Sequence, residues 1–552
     1  MVFMMEKDVT FFAETNFRNE RVKFGIKTDD RRKHMYIIGK TGMGKTVMLE
    51  NMAIDDIRDG RALAFIDPHG ESAQRLLNFI PRERLNDVIY FCPPDIDFPI
   101  SFNPLESISE EHHHLVASGI LGIFKKIWPD VWSARMEYIL NNCLMALLEY
   151  PNSTLLEIMR LLTDKDFRKK VVDNLKDPVV KSFWVNEFAR YHDRFQVEAI
   201  APIQNKVGQF LTNPIIRNII GQKKSSFGIR QLMDEGKILI VNLSKGLMGE
   251  SNSALLGAMI VTKIEQAALS RADVPESERK DFSLYVDEFQ TFATEAFVNI
   301  LSEARKYHLC LIISHQYIAQ LPESVQAAIF GNMGTFVVFR VGADDAEWLE
   351  REFEPEFDAS DLVNLSKYNI YLKLMIDGIT SKAFSAVTLA PAPIKEENLA
   401  TEIIENTRQK YTKPRLGVET AISQEWMTAA PEEGEKKERM MEEKPKIIKK
   451  TYRDFCWVCG QETEVPFQPD GRRPVYCKNC YQGIEAGEII PPTKPKKLET
   501  LIVKSATSRE LLPEKEVKPE PPKRPGVNLD ELRKSLQESL EKLKSKEKNG
   551  NQ

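Results

Sequence analysis

Hydrophobic positions in residues 1–395 fall into two patterns that alternate along the chain. Short apolar runs lie at Met35–Ile38, Ala62–Ile66, Val88–Phe91, Lys237–Leu243, Leu284–Val286, Leu309–Ser314 and Thr335–Arg340. They have the length and β-branched or aromatic content of strands covered on both faces. Between most of them apolar residues recur at helical spacing, which predicts an α/β fold around a mostly parallel sheet. Ile370–Leu374 and Phe384–Thr388 flank Asp377-Gly378 and predict a late hairpin. The interval 106–235 breaks the alternation. It carries helix-period segments, Arg135–Glu149, Thr154–Leu162, Asp166–Asn174 and Pro178–Arg190, with almost no strand signal. It reads as an all-α domain inserted into a discontinuous α/β domain made of residues 1–105 and 236–395.

The pattern changes again beyond residue 395. Of the 30 prolines, 14 lie in residues 401–552. Residues 396–450 and the Pro/Lys/Glu-rich 488–527 read as disordered, solvated linkers. A compact cysteine segment, 451–487, separates them. Residues 528–548 predict an amphipathic helix, with Asn528 and Glu531 as a capping box and Leu529, Leu532, Leu536, Leu540 and Leu543 on one stripe. That helix docks on a partner or on the chain's own α/β domain, or stays solvated.

Composition narrows the class. The 552 residues are 42% hydrophobic and 28% charged, which excludes a collagen, a wholly disordered chain and a disulfide mini-scaffold. No apolar run reaches the roughly 18–20 residues of a membrane span. The start, MVFMMEKDVT, lacks the basic-then-apolar order of a secretory signal. Seven cysteines, four of them clustered, show no disulfide framework, so a reducing, cytoplasmic setting is expected. Cys92, Cys143 and Cys310 sit in apolar surroundings and read as inert core thiols. The net charge is -5; residues 401–552 hold 30 Lys+Arg against 26 Asp+Glu, and the remainder 46 against 55. An acidic body still permits a local basic groove for nucleic acid.

The strongest chemical signal is Gly39-Lys40-Thr41-Gly42-Met43-Gly44-Lys45-Thr46, a GxxxxGK[ST] motif between a predicted strand and a predicted helix. Glycines allow a tight loop whose amides face phosphate oxygens, and the helix N-terminus adds positive dipole. Lys45 reaches β- and γ-phosphates, and the Thr46 hydroxyl ligates Mg²⁺. The strand end Leu284-Tyr285-Val286-Asp287-Glu288 supplies the acidic half. Asp287 is the second Mg²⁺ residue and Glu288 the general base that polarises the attacking water. Gln316, after Ser314-His315, is placed to sense the γ-phosphate, with His315 a structural histidine. Arg305 and Arg340 are each either an arginine finger for a neighbouring subunit's ATP or an ordinary surface arginine. Asp67, in Asp67-Pro68-His69-Gly70, contacts site water or Mg²⁺, or caps the turn. His112-His113-His114 reads as a solvated face, because adjacent helical residues point apart.

Cys456-x2-Cys459, seventeen residues, then Cys477-x2-Cys480 is the spacing of two zinc knuckles. It predicts one structural Zn²⁺ held by four thiolates. Trp457, Tyr476, Tyr481, Arg472 and Arg473 either contact nucleic acid or pack a small core.

Taken together, GKTGMGKT, IDPHG, FNPL (Phe102–Leu105), the inserted α-domain, YVDEFQ and ISHQ resemble the type IV secretion coupling proteins, TraG/TraD-like members of the HerA/FtsK superfamily. The resemblance covers roughly residues 15–395. It implies a RecA-like P-loop motor that forms a hexameric ring, binds ATP between subunits and moves DNA. It carries Lys45, Thr46, Asp287, Glu288 and Gln316 onto the roles above. The partners it implies are DNA, copies of the same chain, and a secretion channel or relaxosome-type protein that would bring the motor to the inner membrane. Within the same superfamily the alternative is a soluble HerA-like DNA pump, and outside the motor class a nucleotide-gated binding scaffold.

Overall fold

The structure is a computed structural model and describes residues 8–16, 20–106, 109–294, 297–394, 398–427 and 452–491. The chain divides into two compact units, Met1–Glu435 and Lys436–Gln552.

The first unit is built on one eleven-stranded sheet. Its strands are β1 (Val9–Thr15), β2 (Lys23–Lys27), β3 (Met35–Ile38), β4 (Ala62–Asp67), β5 (Val88–Phe91), β6 (Ile238–Asn242), β7 (Phe282–Val286), β8 (Leu309–His315), β9 (Thr335–Val338) and β10 (Asn369–Lys373). A small ladder of β11 (Met375–Ile376) and β12 (Ile379–Thr380) follows, and then β13 (Phe384–Thr388) completes the set. The spatial order is β2-β1-β13-β10-β9-β3-β8-β7-β4-β6-β5.

From β9 to β5 every pairing is parallel. Each of these seven strands is buried along its whole length, as helices on both faces require. The other end is antiparallel, from β10 through β13 and β1 to β2. There the side chains alternate between buried and half-exposed, as in β10. The hairpin around Asp377-Gly378 forms, with both residues at positive φ and their amides donating to the Asp30 carboxylate. The β1/β2 hairpin has no counterpart in the sequence reading, because its mixed, half-buried pattern lacks a continuous apolar run.

Residues 110–235 are helical throughout their regular structure among the described residues. Local chemistry sets several boundaries: Ser133, Asp164, Asp177 and Asn213 accept hydrogen bonds from first-turn amides of the helices that follow them. These helices share one apolar core with a sheet face and with the long helix Glu250–Leu269.

The expected linker begins later than residue 396. Ala400–Tyr411 and Arg415–Met427 are helices of the first unit. The Tyr90 amide of edge strand β5 donates to Thr407 Oγ1 at 3.3 Å, and Arg408 pairs with Asp95 at 2.8 Å. Ile403 and Thr407 are buried. Covering an exposed sheet edge favours order in a segment whose composition alone reads as solvated. The rest of the expected linkers, residues 428–450 and 492–527, and the expected helix 528–548 lie outside the described residues.

The second unit, as described, is a hairpin of β14 (Tyr452–Phe455) and β15 (Glu462–Val465) followed by the helix Lys478–Glu485.

Candidate functional site

Parallel strands deliver their carboxyl ends to one edge of the sheet, and the candidate residues collect there. β3 runs between β8 and β9 and leads into the glycine loop. Gly44 caps the helix Lys45–Arg58 at φ 119° and makes no side-chain cap, leaving first-turn amides facing the loop. A Cβ at Gly39 would lie 2.6 Å from Phe339 Cβ, and one at Gly44 2.9 Å from Tyr368 Cδ1. Glycine is therefore required there by close approach as well as by φ.

Lys45 is buried, and its Nζ donates to the carbonyls of Gly39 and Lys40 at 2.5 and 3.1 Å. Burial lowers its pKa, with Asp287 and Glu288 pulling the other way. Thr46 Oγ1 donates to Asp287 Oδ2 at 2.9 Å, joining the loop to the end of β7. Ser314, at the end of β8, donates to the other Asp287 oxygen.

Glu288 adopts left-handed φ 46°, ψ 51°, a conformation that side chains larger than Gly or Asn rarely take and that concentrates at functional sites. Lys245 Nζ and Gln316 Nε2 donate to its two oxygens at 3.0 and 3.2 Å, and His69 Nε2 lies 2.9 Å from Oε1. Burial raises its pKa, but His69 and Lys245 outweigh that and hold the carboxyl below its ordinary value. It is thus an ionised acceptor at neutral pH. The cleft is ≈ 320 Å³ and is lined by the loop, His69, Asp287, Glu288, Gln316, Lys367 and Tyr368.

The structure thus brings together Gly42, Gly44, Lys45, Thr46, Asp287, Glu288 and Gln316, with Thr41 on the cleft wall and Gly39, Lys40 and Met43 in the loop's frame. It places others elsewhere. Asp67 does not line the cleft: it is buried, and its two oxygens accept from the amides of His69 and Ala73 at 2.8 and 2.9 Å. It caps the turn after β4 rather than lining the cleft. Arg340 is half-buried just past β9, and its carbonyl accepts from the Lys40 amide at 2.8 Å. Arg305 is exposed before β8, at the opposite edge of the sheet from the loop. His315 is buried against Tyr36, and burial pushes its pKa down to about 3, so it stays neutral. The three adjacent histidines bring no metal cluster together among the described residues.

Sequence reasoning missed Lys245, His69, Lys367, Tyr368 and Ser314 as site residues. The signal for Lys245 and His69 was their place just past β6 and β4, since strand carboxyl ends line such sites. Lys126 was also missed: from the helix His113–Ile127 it donates to the Gln290 carbonyl at 2.7 Å, two residues beyond Glu288.

In the second unit, the Sγ atoms of Cys456, Cys459, Cys477 and Cys480 all lie within 4.8 Å of one another. Cys456 and Cys459 flank the knuckle closed by Gly460 at φ 77°, and Cys477 caps the helix that carries Cys480. Cys459 and Cys477 sulfurs are 3.7 Å apart, close to the ~3.8 Å edge of a tetrahedron with Zn–S near 2.3 Å. Burial raises the Cys456 thiol, but amides of Cys459, Cys477 and Val458 aimed at the sulfur outweigh this and favour the thiolate. The four side chains fit a closed tetrahedral zinc site. Arg473 pairs with Asp470 and Arg453 with Glu464, and Tyr481 is exposed.

Residues 22–356 match the profile of the type IV secretion-system coupling protein DNA-binding domain. The chain belongs to that family. Residues 449–485 match the family described as "Probable treble clef zinc finger". Among solved structures, the fold of this coupling-protein family member is similar to the bacterial conjugative coupling protein TrwBdeltaN70 in its unbound form. That likeness has 16% identity and a TM-score of 0.50, over 68% of this chain and 89% of that one. The plasmid coupling protein TrwB in complex with ADP and Mg²⁺ matches with the same identity and score, over 68% and 90%. No curated protein sequence matches the chain. No helix of the described residues is long and apolar enough to cross a membrane.

Proposed function

We infer that the first unit is an ATP-hydrolysing motor that moves DNA, as a coupling protein in type IV secretion or conjugative transfer. The observation that carries this reading is the link between Thr46 Oγ1 and Asp287 Oδ2 at 2.9 Å, with Glu288 and Gln316 beside it in the same cleft. That arrangement joins a phosphate-cradling loop to a strand-end acid pair, which phosphoryl transfer to water requires. A protein of this fold, TrwB, carries ADP and Mg²⁺.

The loop amides and Lys45 bind the phosphate chain. The Thr46 hydroxyl and the Asp287 carboxylate are the donor set for Mg²⁺, which when bound screens the phosphate charge. Glu288, kept ionised by its neighbours, accepts a proton from the water that attacks the γ-phosphorus, and Gln316 orients that water or the γ-phosphate. The assembly is a homo-hexameric ring in which Arg305 or Arg340 of one subunit reaches the nucleotide of the next. The zinc segment is a structural module attached to this motor.

The test is phosphate release by the full chain with ATP and Mg²⁺, alone and with single- or double-stranded DNA, alongside mass measurement of the assembly. DNA-stimulated release by a ring is expected. Absence of hydrolysis under all these conditions would overturn the motor reading, and a fully active monomer would remove the ring.

A further inference from the structure

We propose that Tyr368 is the aromatic platform on which the nucleotide's base stacks. This rests on the nucleotide reading above and deepens it.

The phosphate end of the cleft has a direction. Gln316 and His69 gather around Glu288, the base of the reading above, and so mark where the reacting phosphate belongs. Apart from the phosphate loop and Val47 in the first turn of its helix, the remaining lining is Lys367 and Tyr368, the residues left to meet the nucleoside of a bound nucleotide. Tyr368 is the one aromatic residue in that lining.

Three observations single it out. First, its backbone is held at φ 67°, a region that a bulky side chain occupies only when surroundings enforce it. The enforcing contacts are visible. The Tyr368 amide donates to Met43 O of the phosphate loop at 3.1 Å. The Thr388 amide and hydroxyl donate to its carbonyl at 2.9 and 3.2 Å. The strained residue is therefore tied directly to the loop. Second, the ring lies so close to Gly44 that any Cβ there would meet it, so loop and ring are fitted to each other. Third, Tyr368 lies in the exposed turn Ser366–Tyr368, is itself 41% exposed, and lines the cleft rather than packing in a core. The Lys367 ammonium lies 4.7 Å from the ring centroid and brings a cation to the same rim.

An exposed aromatic face, fixed at the mouth of a phosphate site by a strained backbone, suits a planar heterocycle. Base–aromatic stacking accepts any base face, so the ring supplies affinity for the nucleoside without reading base edges.

The test is titration calorimetry on the full chain, comparing ATPγS with inorganic tripolyphosphate, both with Mg²⁺. Tyr368→Ala should weaken ATPγS by about 5- to 150-fold, the range for losing one stacked base, and leave tripolyphosphate unchanged. Tyr368→Trp should keep ATPγS affinity. Tyr368→Asn removes the ring but tolerates left-handed backbone, so it should match the alanine variant without disturbing the loop. Unchanged ATPγS affinity in the alanine and asparagine variants would overturn the proposal. So would equal losses for ATPγS and tripolyphosphate in the asparagine variant, which would mark Tyr368 as loop scaffolding. An unmodified chain that binds neither ligand would instead refute the nucleotide reading itself.

Discussion

The cleft and the cysteine segment both hold four or more polar side chains at short range, with opposite resources. The cleft's residues come from β3, β7 and β8, far apart in sequence, and converge because a large buried sheet brings their ends to one edge. The cysteine segment, in its forty described residues, buries only Cys456, Val465, Val475, Cys480 and Gly483. A core that small does not fold a chain; four metal–thiolate bonds do. The difference teaches that the cleft should survive changes to its ligands with its fold intact, whereas the segment's fold and its ligand set are one thing.

The largest effect expected from that contrast is at the segment. Zinc chelation, or Cys477→Ser, removes a binding free energy of about 10–16 kcal/mol. Elemental analysis should show one zinc lost per chain. Hydrogen exchange should show residues 452–491 unprotected, with protection in the sheet strands unchanged. Loss of protection in both regions would erase the contrast.

At the cleft, effects should appear in nucleotide binding and turnover while the fold stays intact. Glu288→Gln should slow phosphate release by about 10²–10⁴-fold, as loss of a general base does, while nucleotide still binds. Lys45→Ala should cost about 10²–10³-fold through lost charge stabilisation. Both variants should keep the parent's melting temperature within a few degrees and their zinc. A Glu288→Gln chain that hydrolyses ATP at the parent rate would show that another group is the base.

A smaller effect tests the electrostatics. Lys245 helps hold Glu288 below its ordinary pKa. Glu288 works as the carboxylate, so activity is present above its pKa and lost as pH falls through it. Removing Lys245 raises that pKa, so Lys245→Ala should lose activity at a higher pH than the parent. Its turnover at neutral pH, where Glu288 stays ionised, should change much less than in the acid limb. The pH profile of kcat/KM measures both. The smallest effect is expected from deleting residues 445–552, which should leave basal phosphate release essentially unchanged while altering engagement of DNA or a partner.

Much of this molecule could be read from residue order. The glycine loop, the Asp287-Glu288 pair and the paired cysteines are local patterns, because a phosphate cradle, a strand end and a zinc knuckle each need only a few consecutive residues. Continuous apolar runs announced the seven parallel strands for the same reason: a strand covered on both faces has no polar positions to interrupt it. The β1/β2 hairpin and the helices at 400–427 escaped, since half-exposed strands and edge-covering helices take their stability from neighbours absent from a local window. Asp67 shows the limit most plainly. A strand-end aspartate is equally suited to a metal or to a turn, and only the positions of the His69 and Ala73 amides decide it. Lys245, His69 and Tyr368 reached the site through long-range strand pairing and one strained turn. Tertiary structure alone determined their convergence, because distances across a sheet are set by packing and register rather than by spacing along the chain.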